Sequence, residues 1–214
     1  MKVVEKIINN DTVKWLEEVS DLNCVVTSMP DSEETNMNTK EWIDWFINVA
    51  TNLMKKSETY SIFYQTDRKI KGTLMSKTSL LFDAAKKAGV RLLWHKIVLK
   101  VKVGKINLYR PGYTHLLCFS KEKDSGKATP DVIECGKMFY KNSIGDNVLK
   151  FIFSYLKKDK DIKTIVDPFC GQGSILCSAK ENGYNVTGVE ILPEYCKITK
   201  QRLKCSGVSV LDYV

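Results

Sequence analysis

Residues 164–180 admit one kind of local structure. Thr164, Ile165 and Val166 form a short β-branched and apolar run. Asp167-Pro168-Phe169-Cys170-Gly171-Gln172-Gly173-Ser174 follows, and then a helical pattern over 175–180. A strand, a turn with glycines at i and i+2, and a helix start make a βα corner. Gly171 and Gly173 can take φ > 0 and let a ligand approach the main chain. The N–H groups that open the following helix favour a negative group at the same place. A corner of this kind belongs to an α/β sheet, and it implies a bound cofactor. It also sits late in the chain.

The rest of the chain alternates between strand and helix signals. Strands are expected at residues 3–8, 23–27, 60–65, 90–103, 113–119, 162–166 and 186–190. Helices are expected from the Asn10-Asp11-Thr12 cap to about residue 19, over 41–56 after Thr39, over 76–88 before Gly89, over 143–156, and from Pro193 to about 204. Trp42, Trp45, Phe46 and Val49 share one face of the second helix, a pattern of core packing. Residues 90–103 and 113–119 have no helix between them and Arg110-Pro111-Gly112 marks a turn, so they pair as an antiparallel hairpin at one edge. Residues 121–130 read as a polar loop, and 208–214 as an edge strand or tail. The expected fold is α/β, a seven-stranded mostly parallel sheet with helices on both faces.

Composition narrows the class. The 214 residues suit a single domain, with an acceptor half at about 1–120 and a cofactor-loop half at about 137–205. No apolar run has the ~20 residues of a membrane span. Residues 1–5 lack the order of a signal peptide. Seven cysteines without a CxxC pair, and only two histidines, offer no zinc spacing, so no metal is expected. The simplest compartment is reduced and intracellular, cytoplasmic or nuclear. The net charge of +8 is uneven: residues 61–130 hold 15 Lys/Arg against 4 Asp/Glu. Such a middle third suits a polyanion such as nucleic acid, with a solvated lysine-rich face as the alternative.

Glu190 ends the strand after the glycine corner, where an acidic side chain can hold ribose hydroxyls. The loop lacks the third glycine of a dinucleotide fingerprint and the GK[ST] of a phosphate loop. Asp-Pro-Phe-Cys-Gly-Gln-Gly-Ser resembles the DPFxGxGS/T motif of S-adenosylmethionine-dependent amino-methyltransferases of DNA and RNA bases. Gly188-Val189-Glu190-Ile191-Leu192-Pro193-Glu194-Tyr195, with Arg202-Leu203 beyond, resembles that family's second motif and helix. Arg110 to His115 resembles the segment before its last strand, so the likeness covers nearly the whole chain.

The resemblance implies S-adenosyl-L-methionine as cofactor. Asp167, Phe169, Gly171, Gly173 and Ser174 would border its methionine moiety. Glu190 would take the ribose, Ile191 would pack on the adenine, and Asp11 would border the adenine amino group. Tyr140, Asn142 and Ser143 precede the helix leading to the cofactor strand. In the family that segment lines the pocket, while a plain helix cap is the alternative for Asn142 and Ser143. The late cofactor motif resembles the circularly permuted branch, in which the acceptor motif comes first.

That acceptor motif is (D/N/S)PP(Y/F/W), which aligns an exocyclic amine with the sulfonium methyl and stacks a ring on a flipped base. Here the segment reads Ser28-Met29-Pro30-Asp31. Ser28 and Pro30 keep the pattern, and Met29 and Asp31 depart from it. Three readings remain open. Asp31 accepts a proton or hydrogen bond from the substrate. Alternatively Trp94, Tyr64 or Phe63 supplies the stacking ring, or the site has lost its activity. The expected function is methylation of a base nitrogen, with RNA slightly favoured over DNA because no separate target-recognition domain is visible. The alternatives are a catalytically silent subunit binding RNA or an active protein partner, and a protein or small-molecule N-methyltransferase.

Overall fold

The elements run β1 (Glu5–Asn9), α1 (Thr12–Glu18), β2 (Cys24–Thr27), α2 (Ser32–Thr35), α3 (Thr39–Lys56), β3 (Ser61–Gln65), β4 (Arg68–Ile70) and β5 (Thr73–Met75). They continue with α4 (Lys77–Ala88), β6 (Arg91–Leu99), β7 (Tyr113–Ser120), β8 (Val132–Glu134), α5 (Asp146–Leu156), β9 (Thr164–Asp167), α6 (Ser174–Glu181), β10 (Asn185–Glu190) and α7 (Pro193–Cys205). The structure is a computed structural model that describes residues 3–70, 72–108, 110–141 and 143–205. The expected tail strand at 208–214 and Asn142 lie outside the described residues. Two units divide the chain: Met1–Thr27 with Cys135–Val214, and Ser28–Glu134.

The first unit is built on four parallel strands in the order β1-β10-β9-β2. Their register aligns the carboxyl ends. Asn9 lies beside Glu190, and Gly188 beside Asp167. Ile165, Val166, Val186 and Val189 are buried, as the interior of a parallel sheet requires. Helix α6 packs close on β10 because Gly188 has no side chain: a Cβ there would lie 2.4 Å from Leu176 Cδ1 and 2.9 Å from Cys170 Sγ. Helix α5 buries Val148, Leu149, Ile152, Phe153 and Leu156. It begins three residues later than expected, capped by Gly145 rather than by residue 142 or 143.

The second unit carries β3-β7-β6-β8. Strands β3 and β6 both run antiparallel to β7, so the expected hairpin forms, with register pairs such as Ile97 and His115. Strand β6 stops at Leu99, four residues short of expectation. Two features had no strong sequence signal. The three-residue β8 lies parallel against β6, and the β4/β5 hairpin turns at Gly72. Strands of three residues leave too short an alternation to read. Helix α3 is capped by Asn38, with Glu41 completing a capping box, so the cap lies one residue before Thr39. Trp42, Phe46 and Val49 are buried in the core, and Trp45 is half-buried. Gly89 ends α4 in the left-handed conformation, as expected.

Candidate functional site

In the first unit, four strand ends converge on the glycine corner. Gly171 has φ 50° and Gly173 φ 86°. Gly173 is also sterically required, since a Cβ there would meet Thr199 Cγ2 at 2.7 Å. The loop is tied on every side. Gly171 N donates to Glu190 Oε2 at 2.9 Å, and Thr199 Oγ1 donates to Gly171 O at 2.8 Å. Arg202 donates to Gln172 O at 3.0 Å, and Cys170 N to Val189 O at 3.0 Å.

Asp167 ends β9 and is 2% exposed. Its Oδ1 accepts from Thr27 Oγ1 at 2.7 Å and from Phe169 N at 3.1 Å. Burial pushes its carboxyl up to about 7, with the Glu190 charge adding to the rise and the two hydrogen bonds opposing it. A buried carboxyl that titrates near neutrality responds strongly to a cation brought beside it. The Glu190 carboxylate is used twice, since Oε1 accepts from Leu192 N at 2.8 Å. Each oxygen keeps a second lone pair for a hydroxyl donor. Ile191 next to it is 60% exposed, an apolar surface at the mouth of the strand end.

Tyr140 stands over the start of α6. Its hydroxyl accepts from Ser174 N at 3.2 Å, and the Arg202 guanidinium lies 3.9 Å from its ring centroid. Burial holds the phenol above its ordinary value. Ser143 does not cap α5. Its Oγ accepts from Phe139 N at 2.9 Å and Tyr140 N at 3.3 Å, which fixes the turn that presents Tyr140. Asp11 caps α1 through Val13 N and Lys14 N, with Oδ1 at 2.9 and 3.2 Å. Thus Asp167, Phe169, Gly171, Gly173, Ser174, Glu190, Ile191, Tyr140, Ser143 and Asp11 all belong to this unit. Thr27, Thr199 and Arg202 were not expected as site residues. For α7 a signal existed: Cys196, Thr199 and Leu203 are its buried residues, one stripe at helical spacing. Cys170 is a packing residue, its thiol pushed far up by burial.

In the second unit, Ser28 is half-buried and Met29 is buried at 2%. Pro30 O accepts from Trp42 Nε1 at 3.2 Å. Asp31 is 6% exposed and is bound by cations. Lys77 Nζ donates to Oδ1, Arg68 to Oδ2 at 3.2 Å, and Arg110 lies 3.8 Å from Oδ2. Lys77 is itself buried, and burial holds its ammonium below its ordinary value against the pull of Asp31. Of the three open readings of this segment, the one in which Asp31 serves a substrate amine would have it do so with both carboxylate oxygens already engaged by cations. Phe63, Tyr64 and Trp94 are all buried, so none presents an open ring face for stacking in this conformation.

The two histidines of the chain also meet in this unit. His95 Nε2 lies 2.8 Å from His115 Nδ1, and His115 Nε2 lies 3.1 Å from Asp67 Oδ2. Among the described residues no group of side chains could hold a metal ion, and no helix is long and apolar enough to cross a membrane. Among the described residues no two cysteines form a disulfide.

Residues 140–201 match the DNA methylase family model N6_N4_Mtase. None of the curated proteins matches the chain. Among solved structures it is similar to a candidate DNA modification methylase from Thermus thermophilus in complex with S-adenosyl-L-methionine. That match has TM-score 0.74 and 16% identity, and covers 96% of each chain. It is similar to the PvuII cytosine-N4-specific DNA methyltransferase, at TM-score 0.74 and 16% identity over 99% of this chain and 90% of that one. The M1.HpyAVI–S-adenosylmethionine complex matches at TM-score 0.63 and 15% identity, over 94% and 99%. The chain therefore has the α/β fold of S-adenosylmethionine-dependent methyltransferases, as expected from the sequence. The lean towards RNA finds no support, since the matched family model and two of these similar structures are described as DNA methylases or DNA methyltransferases.

Proposed function

We propose that this protein is an S-adenosyl-L-methionine-dependent methyltransferase acting on an exocyclic nitrogen of a DNA base. The observation that carries this reading is the corner at β9, where Asp167, the positive-φ Gly171 and Gly173, and Glu190 share one bonded frame. The frame fits the cofactor. Glu190 has acceptor capacity for ribose hydroxyls, Ile191 offers an exposed apolar surface for adenine, and Asp167 can ionise beside a cationic methionine moiety. Tyr140 and Arg202 support the segment at the start of α6. The bound cofactor would supply an electrophilic methyl on a sulfonium, so the protein's part is alignment and charge placement.

On this reading the chain is a circularly permuted member of the fold, with the acceptor segment ahead of the cofactor motif. Thr27, which donates to Asp167, is followed directly by Ser28-Met29-Pro30. The Ser28 hydroxyl and the backbone of this segment orient the amine. Asp31 is a positioning residue that holds the segment through Lys77 and Arg68. DNA is the favoured acceptor because the matched family model and two of the similar structures are described as DNA methylases or DNA methyltransferases.

A second reading is a catalytically silent subunit that binds nucleic acid or an active partner protein. It draws on Asp31, a carboxylate where the family pattern has a stacking ring. Transfer of labelled methyl groups from the cofactor to duplex DNA separates the two. Methylated adenine or cytosine in the digested product supports the enzyme. Calorimetric binding of the cofactor without transfer to any DNA would leave the silent subunit.

A further inference from the structure

The connection between β6 and β7, residues 100–112, carries Lys100, Lys102, Lys105 and Arg110 and no Asp or Glu. Val103, Ile106 and Leu108 in the same loop are 85%, 85% and 84% exposed. They are the most exposed large apolar side chains among the described residues. The base of the loop is fastened. Lys100 N and Val101 N donate to Gly112 O at 2.8 and 3.2 Å, and Lys100 Nζ donates to Thr66 Oγ1 at 2.9 Å. Gly112 allows this closure, since a Cβ there would lie 2.6 Å from Val101 Cγ2. A turn with Lys105 N bonded to Lys102 O at 3.0 Å and Gly104 at φ 79° forms the tip.

Three other cations of the basic middle third are consumed internally, while Lys69, Lys86, Lys87, Arg91, Lys121 and Lys127 are exposed but lie outside the loop that carries these apolar side chains. Lys77 and Arg68 hold Asp31, and Lys96 is 4% exposed and paired with Asp131 at 2.8 Å. Lys102 and Lys105, by contrast, are exposed beside the exposed apolar side chains. Cations flanking bare apolar side chains match a surface of phosphates with base faces between them. Proteins that distort duplexes insert Leu, Ile or similar wedges between base steps. A membrane surface would also attract lysines. It is usually met by a helix with a continuous apolar face, however, and this loop is irregular.

We infer that the β6–β7 loop is a DNA-contacting wedge, with Lys102 and Lys105 against phosphates and Val103, Ile106 and Leu108 against the bases. The inference rests on the DNA reading above. Its function would be to hold the duplex and help part a base step, since methylation needs the target base out of its stack.

The test uses the full chain and a labelled mixed-sequence duplex, with anisotropy read at several salt concentrations. Two variants are compared, Lys102→Ala/Lys105→Ala and Val103→Ser/Ile106→Ser/Leu108→Ser. The lysine variant is expected to bind more weakly and to flatten the slope of log affinity against log salt by about 1.8, two phosphate contacts' worth. The apolar variant is expected to bind more weakly with the slope unchanged. Both should keep wild-type cofactor binding by calorimetry. Wild-type duplex binding in both variants would overturn the wedge, while methyl transfer to DNA would keep the enzyme reading. Loop-dependent binding to phosphatidylcholine–phosphatidylserine vesicles, with duplex binding unaltered, would overturn it in favour of a lipid surface. A wild-type protein that neither binds nor methylates DNA would overturn the DNA reading and the wedge with it.

Discussion

Gly171 N and Glu190 Oε2 are joined at 2.9 Å across nineteen residues of chain, so one carboxylate fixes the glycine corner and the next strand end together. Its other oxygen holds Leu192 N at 2.8 Å. The side chain proposed to receive the ribose is thus preset by backbone donors before any ligand arrives, which lowers the ordering cost of binding.

Glu190→Gln should therefore separate binding from folding. Glutamine keeps one acceptor oxygen but replaces the other with a donor that faces an N–H. Hydrogen bonds to charged groups contribute roughly 1.5–3 kcal/mol, so cofactor affinity should fall by about tenfold or more. The protein should still fold, with thermal stability lowered by no more than the loss of one half-buried frame bond. Calorimetry with S-adenosylmethionine beside a melting curve reads both, and unaltered affinity would remove Glu190 from the pocket.

The two glycines of the corner should respond unequally to alanine. Both have φ > 0, a conformation that costs an L-residue roughly 1–2 kcal/mol. Gly171 has nothing within 4 Å of an added Cβ, whereas at Gly173 the Cβ would meet Thr199 at 2.7 Å. Gly173→Ala should destabilise more than Gly171→Ala in urea unfolding. It should also disturb the Thr199 bond to Gly171 O. Equal losses would mean that Thr199 yields freely.

The glycine corner and the strand alternation were legible because they are local. Two glycines, a proline and a strand-end acid lie within a few residues, and buried parallel strands read as apolar runs. The surroundings of Asp31 were not legible. Lys77, Arg68 and Arg110 come from separate elements, and no sequence period links them. Lys96 belongs to the basic middle third, whose lysines read from sequence as solvated or polyanion-facing charge. The β6 register instead buries it against the Asp131 carboxylate. Short β8 and the β4/β5 hairpin escaped for want of length.

Asp31→Ala should unfold the protein more readily than its surface-like composition suggests. Its side chain is 8% exposed and that of Lys77 is 4% exposed. Removing one partner of a buried pair strands the other and costs roughly 3–5 kcal/mol. Asp31→Asn combined with Lys77→Met should recover much of the loss, because no uncompensated charge remains. If Asp31→Ala keeps wild-type stability but loses methyl transfer, Asp31 acts on substrate and the positioning role is wrong.

The histidine pair should make stability fall in mild acid. Burial, and then the facing His115, hold His95 below its ordinary value of 6.5. Burial pushes Asp67 upward, but the bonds from His115 and Lys77 outweigh it and leave it below its ordinary value. For both groups the folded value is depressed. The His95 contribution is present above 6.5 and is lost as pH falls through its folded value. Urea midpoints from pH 7.5 to 5 should decline, and His95→Gln should flatten that decline. An unchanged slope in the variant would assign the acid sensitivity elsewhere.

Asp167 should act in the opposite direction and couple to the cofactor. Its folded value is raised to about 7 from 3.8, so its contribution to stability is complete below 3.8 and is lost as pH rises through about 7. Asp167→Asn, which cannot ionise, should therefore gain stability relative to the wild type between pH 5 and 8. The cofactor's positive charge favours the ionised carboxylate, so binding below pH 7 should eject a proton. Wild-type affinity should rise towards neutral pH and level off above it, whereas the affinity of Asp167→Asn should be weaker and flat. Calorimetry in two buffers of different ionisation heat measures the released proton directly. No release at pH 6 would place the cofactor's charge away from Asp167.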